Sequence, residues 1–133
     1  MIVFDTNVLS EPLRPTPDAS VVAWMRRQAD VAVTTVTVAE LLVGARRLPD
    51  GIRRVKLIAA IESILTGSRI LPFDEAAARE YARMQDVRRR GGTPLAVEDG
   101  MIAAIASCHG ASLATRNTSD FVDLGIELIN PWD

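Results

Sequence analysis

At 133 residues, with 48% hydrophobic and 24% charged residues, the chain has the composition of one globular domain. Its formal net charge of −2 excludes a global basic field for nucleic acid, and its one cysteine, Cys108, excludes an internal disulfide and points to a reducing compartment. No apolar run approaches the ~18 residues of a membrane-spanning helix. The first apolar run is cut at Asp5 and lacks the basic flank of a signal peptide, so a cytoplasmic protein with no membrane partner is expected.

The first strand is predicted at about Ile2 to Phe4, ending abruptly on Asp5-Thr6-Asn7. Pro12, Pro15 and Pro17 read as a turn, and Asp18 as the cap of a helix through Val22, Met25 and Arg26. A second strand, Val31 to Thr34, leads into a helix capped by Thr35 or Thr37 that carries Glu40, Leu41, Leu42 and Ala45. After the turn Pro49-Asp50-Gly51, apolar residues at 57, 58, 61, 64 and 65 mark an amphipathic helix from Ile52 to Leu65. Ile70-Leu71 is a third strand, stopped by Pro72, and Asp74 caps a helix running to about Arg90 and ended by Gly91-Gly92. Thr93-Pro94 opens a helix through Asp99, Ile102, Ile105 and Ala106 that stops at Gly110. Ser112 to Thr115 and Ile126 to Ile129 complete four or five strands. Strands alternating with helices predict an α/β fold, a mostly parallel sheet covered on both faces.

Ligands of such a sheet bind at the carboxyl ends of its strands. Asp5 stands there, either as a turn cap or as an acid available for chemistry. Glu40 fits a capping box with Thr37, or a second acid at the same mouth. Glu98 and Asp99 both suit a helix start, but Asp99 shares its face with Ile102, Ala103 and Ala106 and points inward. Asp120 is a cap or a further acid, and Asn117 a turn residue after Thr115-Arg116. Carboxylates gathered at one mouth repel one another unless a cation neutralises them. Oxygen ligands without Cys or His suit Mg²⁺ or Mn²⁺, which can activate water against a phosphodiester. His109 reads as a helix-end residue and Cys108 as packed, and no phosphate-cradling glycine motif occurs. Arg116, beside the mouth, is the candidate phosphate contact, whereas Arg88-Arg89-Arg90 reads as cations offsetting a helix dipole. Val21, Val22, Trp24 and Met25 with Leu41, Leu42 and Leu48 are core, or the walls of a groove for a partner helix.

Five segments, in order, carry a resemblance: Val3-Phe4-Asp5-Thr6-Asn7, Thr37-Val38-Ala39-Glu40-Leu41, Asp99-Gly100-Met101-Ile102-Ala103-Ala104, Ala114-Thr115-Arg116-Asn117 and Asn130-Pro131-Trp132. Together they resemble the PIN-domain ribonuclease toxins of VapC type, in the Fit-like (plasmid-stability) subgroup, over nearly the whole chain. The resemblance implies one PIN domain over residues 1–133, a three-layer sandwich, and an Mg²⁺- or Mn²⁺-dependent endoribonuclease leaving a 5′-phosphate. It also implies inhibition by a small VapB-like antitoxin, and a homodimer. By the same resemblance Asp5 and Asp99 bind the metal directly, Glu40 is the third acid, and Thr6, Asn7 and Thr115 orient the acids. The family's fourth acid falls on Asn117, a departure that Asp120 can make good. A haloacid-dehalogenase-like phosphatase would need an Asp where Asn7 stands, and a receiver domain an acid where the third strand runs into Pro72. The alternative left open by Asn117 is a non-catalytic PIN-like module that binds RNA or protein.

Overall fold

The computed structural model describes every residue from Met1 to Asp133. Five strands, β1 (Ile2–Phe4), β2 (Val31–Thr34), β3 (Arg69–Leu71), β4 (Ser112–Ala114) and β5 (Leu128–Ile129), form one sheet in the order β3-β2-β1-β4-β5. Every neighbouring pair is parallel, with Ile2 opposite both Val31 and Ser112. The helices are α1 (Thr6–Ser10), α2 (Ala19–Arg27), α3 (Thr35–Arg46), α4 (Ile52–Thr66), α5 (Glu75–Arg90) and α6 (Val97–Cys108). None is long and apolar enough to cross a membrane.

Period-two alternation distributes each inner strand between two cores. Val3, Ala32 and Leu113 face a core shared with Ala77 and Met84 of α5 and Ile102, Ala103 and Ile105 of α6. Phe4, Val33 and Ala114 face the opposite core, with Val8 and Leu9 of α1, Leu41 and Ala45 of α3, and Ile61 and Leu65 of α4. The result is the expected α/β three-layer sandwich, with five strands and a wholly parallel sheet. Strand order reverses at β1, since the chain leaves it first toward β2 and later toward β4. Ligands of such sheets bind at that switch point, and Asp5, the first residue beyond β1, stands there.

Several boundaries differ from expectation for physical reasons. Helix reaches into the predicted proline turn: α1 follows Asp5 directly and a 3-10 turn, Glu11–Leu13, continues it through Pro12, leaving only Pro15 and Pro17 outside. Buried Val8 and Leu9 make that short helix worthwhile. Asp18 and Asp74 cap α2 and α5 as predicted. For α3 the cap is Thr34, whose hydroxyl accepts the Thr37 N–H at 3.2 Å, and neither Thr35 nor Thr37 serves. Helix α6 starts at Val97, after Ala96 rather than at Thr93-Pro94, and has no side-chain cap. Gly100 is needed where α6 crosses α5, because a Cβ there would lie 2.8 Å from Cε2 of Tyr81. Cys108 is exposed rather than packed, at the last residue of α6.

Candidate active site

Asp5 is both cap and candidate acid. Its carboxylate is 5% exposed; Oδ1 accepts the Thr6 N–H at 2.8 Å, and Oδ2 accepts from Thr115 Oγ1 at 2.8 Å and Asn7 Nδ2 at 3.3 Å. Its own N–H donates to the Ala114 carbonyl at 2.9 Å, which fixes the backbone to β4. Burial raises its pKa, outweighing the three hydrogen bonds, and the charge of Asp120 adds to the rise. Thr115, fully buried, also accepts the Asn117 N–H at 3.1 Å and an Asn7 N–H at 3.4 Å.

Glu40 lies on the second turn of α3, and its partner is Thr6, not a capping box. Thr6 Oγ1 donates to Glu40 Oε1 at 2.8 Å and lies 3.0 Å from Thr37 Oγ1. The glutamate is exposed, yet desolvation raises its pKa, followed by the charges of Asp5 and Glu98. Asp99, half-buried on the first turn of α6, makes no side-chain hydrogen bond; its pKa is raised to about 6 by burial first, then by Asp5, Asp120, Glu40 and Glu98.

Asp120 is exposed inside a 3-10 turn, Thr118–Phe121, and caps nothing. Its charge nevertheless acts on both Asp5 and Asp99. Asn117 is exposed at the start of that turn and joins the site through its backbone, with no side-chain cap bond. Glu98, set aside in favour of Asp99, is exposed but still bears on Glu40 and Asp99. With Glu40, Val36, Ala39, Val43 and Met101 it lines a cleft of about 490 Å³ between α3 and α6.

Two basic side chains behave differently from one another. Arg88 does more than offset a dipole: its guanidinium donates to the carbonyls of Thr93 at 3.0 Å, Asp120 at 3.1 Å and Val122 at 3.2 Å. It thereby ties the end of α5 to the turn carrying Asp120, a contact no local pattern signals. Arg116 lies one residue beyond Thr115, with its N–H on Asn7 Oδ1 at 3.2 Å and its guanidinium 5.0 Å from the ring centre of Trp132.

The donor set fits a hard cation: oxygen only, with no His or Cys among the clustered groups, and three carboxylates whose ionised forms are penalised at neutral pH. No three of them approach closely enough to form a ready-made cage. Mg²⁺ and Mn²⁺ characteristically keep several waters, so a cage complete in protein ligands is not required.

A profile of the PIN domain matches residues 2–126. The chain belongs to the PIN-domain family. It is 43% identical to Toxin FitB of Neisseria gonorrhoeae over 137 residues, covering 99% of each chain. It is 41% identical to VapC ribonuclease Y4jK of Sinorhizobium fredii, covering 100% of this chain and 99% of that one. Among solved structures, FitAcB from Neisseria gonorrhoeae superposes with a TM-score of 0.94 at 43% identity, covering 99% of each chain. This PIN domain thus matches these relatives in sequence and in fold along nearly its whole length.

Proposed function

We propose that this PIN-domain protein is the toxin of a type II toxin–antitoxin pair and a metal-dependent endoribonuclease, hydrolysing RNA phosphodiester bonds in the cytoplasm. The observation that carries the reading is the meeting of Asp5, Glu40 and Asp99, from three separate elements, at the one point where the sheet order reverses, each with a raised pKa. The names of the relatives, a toxin and a ribonuclease, support it.

Asp5, Glu40 and Asp99 would hold Mg²⁺ or Mn²⁺. When bound, such an ion lowers the pKa of water and stabilises charge developing on a phosphoryl group. The chain's own part is positioning. Thr115 and Asn7 fix one carboxylate oxygen of Asp5, and Thr6 fixes the other through its N–H and aims Glu40 through its hydroxyl. Asp120 adds the negative charge that Asn117 lacks, and Arg116 binds a substrate phosphate. The antitoxin would cover a groove of about 320 Å³ floored by buried Leu9, where Pro12, Val22, Met25 and Val31 stay partly open. The toxin would act as a homodimer.

Incubation of purified protein with RNA in Mn²⁺, in Mg²⁺ and in EDTA tests this. Cleavage is expected only with metal and is expected to be lost in Asp5→Asn; undiminished cleavage in EDTA overturns the reading. The neutral, exposed Asn117 favours one competitor, a module that binds RNA without cutting it. RNA retained intact by the metal-loaded wild type would establish that competitor.

A further inference from the structure

The two flanks of the acid mouth differ in what they can offer an anionic chain. The α3–α6 cleft brings Glu40 and Glu98 and apolar side chains, with Arg47 as its only cation. The β4 flank brings Arg116, which forms no ion pair. Asp18 feels its charge, but that carboxylate is engaged in capping α2 through Ser20 and Val21. A free, exposed arginine ordinarily samples many rotamers, and ordering it on binding costs affinity.

Here the chain's last residues limit that freedom. Asn130, just after β5, donates through Nδ2 to the Arg116 carbonyl at 3.4 Å and accepts the Trp132 N–H on Oδ1 at 3.0 Å. The turn closes with the Asp133 N–H on the Asn130 carbonyl at 3.2 Å, and Pro131 within it is buried. Trp132 is thus held with one part of its ring packed on the α1–α3–α4 core and its face under the Arg116 guanidinium. On the other side Asn7 grips the Arg116 N–H and Asp5 together. A continuous chain of contacts runs from Trp132 through Arg116 and Asn7 to the candidate metal-binding acid.

We infer that Trp132 and Asn130 are positioning residues for Arg116: the Asn130-Pro131-Trp132 tail orients its guanidinium for a phosphate of the RNA substrate at a fixed distance from the acids. This rests on the ribonuclease reading above. A stacked guanidinium keeps its outer face and its N–H edge free for phosphate, and its orientation is paid for in folding rather than in binding. The effect belongs in KM, because ground state and transition state share a contact remote from the reacting bond.

The test is a double-mutant cycle on cleavage of a fluorescein-labelled single-stranded RNA in Mn²⁺, with binding of the same RNA in EDTA followed by anisotropy. Arg116→Ala is expected to raise KM about tenfold with kcat little changed, the loss of one charge-assisted contact. Trp132→Leu is expected to raise KM about threefold, and Trp132→Phe to restore most of it, since Phe retains a weaker cation–π face. In the Arg116→Ala background Trp132→Leu should add nothing, because its partner is already gone. Asn130→Ala, which keeps the indole but removes the two hydrogen bonds that hold the tail to Arg116, should follow Trp132→Leu and guards against a general loss of folding in the latter. An unchanged KM in Trp132→Leu, or an equal further rise in the Arg116→Ala background, overturns the inference while wild-type cleavage keeps the ribonuclease reading intact. A wild type that neither binds nor cuts the RNA removes both.

Discussion

Asp5 and Asp99 bracket the same mouth but are held in opposite ways. Asp5 is almost wholly buried and accepts three hydrogen bonds, two of them from residues of its own turn and one from Thr115, just beyond β4. Asp99 is half-buried, accepts none, and lies on the first turn of a helix with no side-chain cap. Burial raises both pKa values, but hydrogen bonds pull Asp5 back, whereas repulsion from four other acids drives Asp99 on to about 6. One acid is thus built into the scaffold, and the other is left to be satisfied by whatever binds. Pre-orienting one ligand and leaving a second unmatched is how a site can favour a cation without being assembled by it.

The sharpest way to break this contrast is to neutralise each acid. Asp5→Asn and Asp99→Asn are both expected to cut RNA cleavage by more than the about 10–100-fold lost on removing an outer hydrogen-bond partner. Thr115→Val should fall inside that range, since it strips the 2.8 Å donor from Asp5 without removing the charge. It should also destabilise the fold by about 1–3 kcal/mol, measured by urea unfolding, because a buried acceptor loses its partner. A Thr115→Val protein as active as wild type would show that Asp5 needs no such hold.

Stability in EDTA should separate the two acids further. Asp99 has a raised folded-state pKa, so its contribution is intact below its unfolded value near 3.8 and is lost as pH rises through about 6. Asp99→Asn is therefore expected to be more stable than wild type at pH 7, by about 1 kcal/mol after discounting for solvent screening, with the advantage gone by about pH 4. Thermal unfolding across that range measures it, and an advantage that persists at low pH would assign it to packing instead. Gly100→Ala, beside Asp99, should cost about 1–3 kcal/mol through the clash with Tyr81. The smallest effect is expected from Arg88→Ala, which frees the carbonyls of Asp120 and Val122 and should speed amide exchange in residues 118–122 while leaving the sheet protected.

What the sequence reveals follows the range of its interactions. Short apolar runs alternating with helical patterns, punctuated by Gly and Pro, predicted a mostly parallel sheet covered on both faces, because a strand buried on both sides is apolar throughout. Asp5 was readable as a strand-end residue, but its dual role was not, since α1 is only five residues long and leaves almost no periodic signal. Thr37 and Glu40 match a capping box by spacing, yet Thr34 at the strand end takes the cap and Thr6 takes the glutamate, 34 residues away in sequence. Arg88 resembles any helix-terminal cation until the fold brings Asp120 to it across 32 residues. Contacts of that separation are set by topology, and a local pattern cannot carry them.

The exposed thiol of Cys108 acquires a use from its address. Helix α6 begins beside the acids and ends at this residue, so the sulfur sits nine residues from Asp99, roughly 14 Å along a rigid rod. With no second cysteine to compete, a nitroxide attached there, slowly because burial and nearby acids raise the thiol's pKa, becomes a molecular ruler. Paramagnetic broadening of its spectrum by Mn²⁺ would report where the ion rests, in solution and with no substrate present.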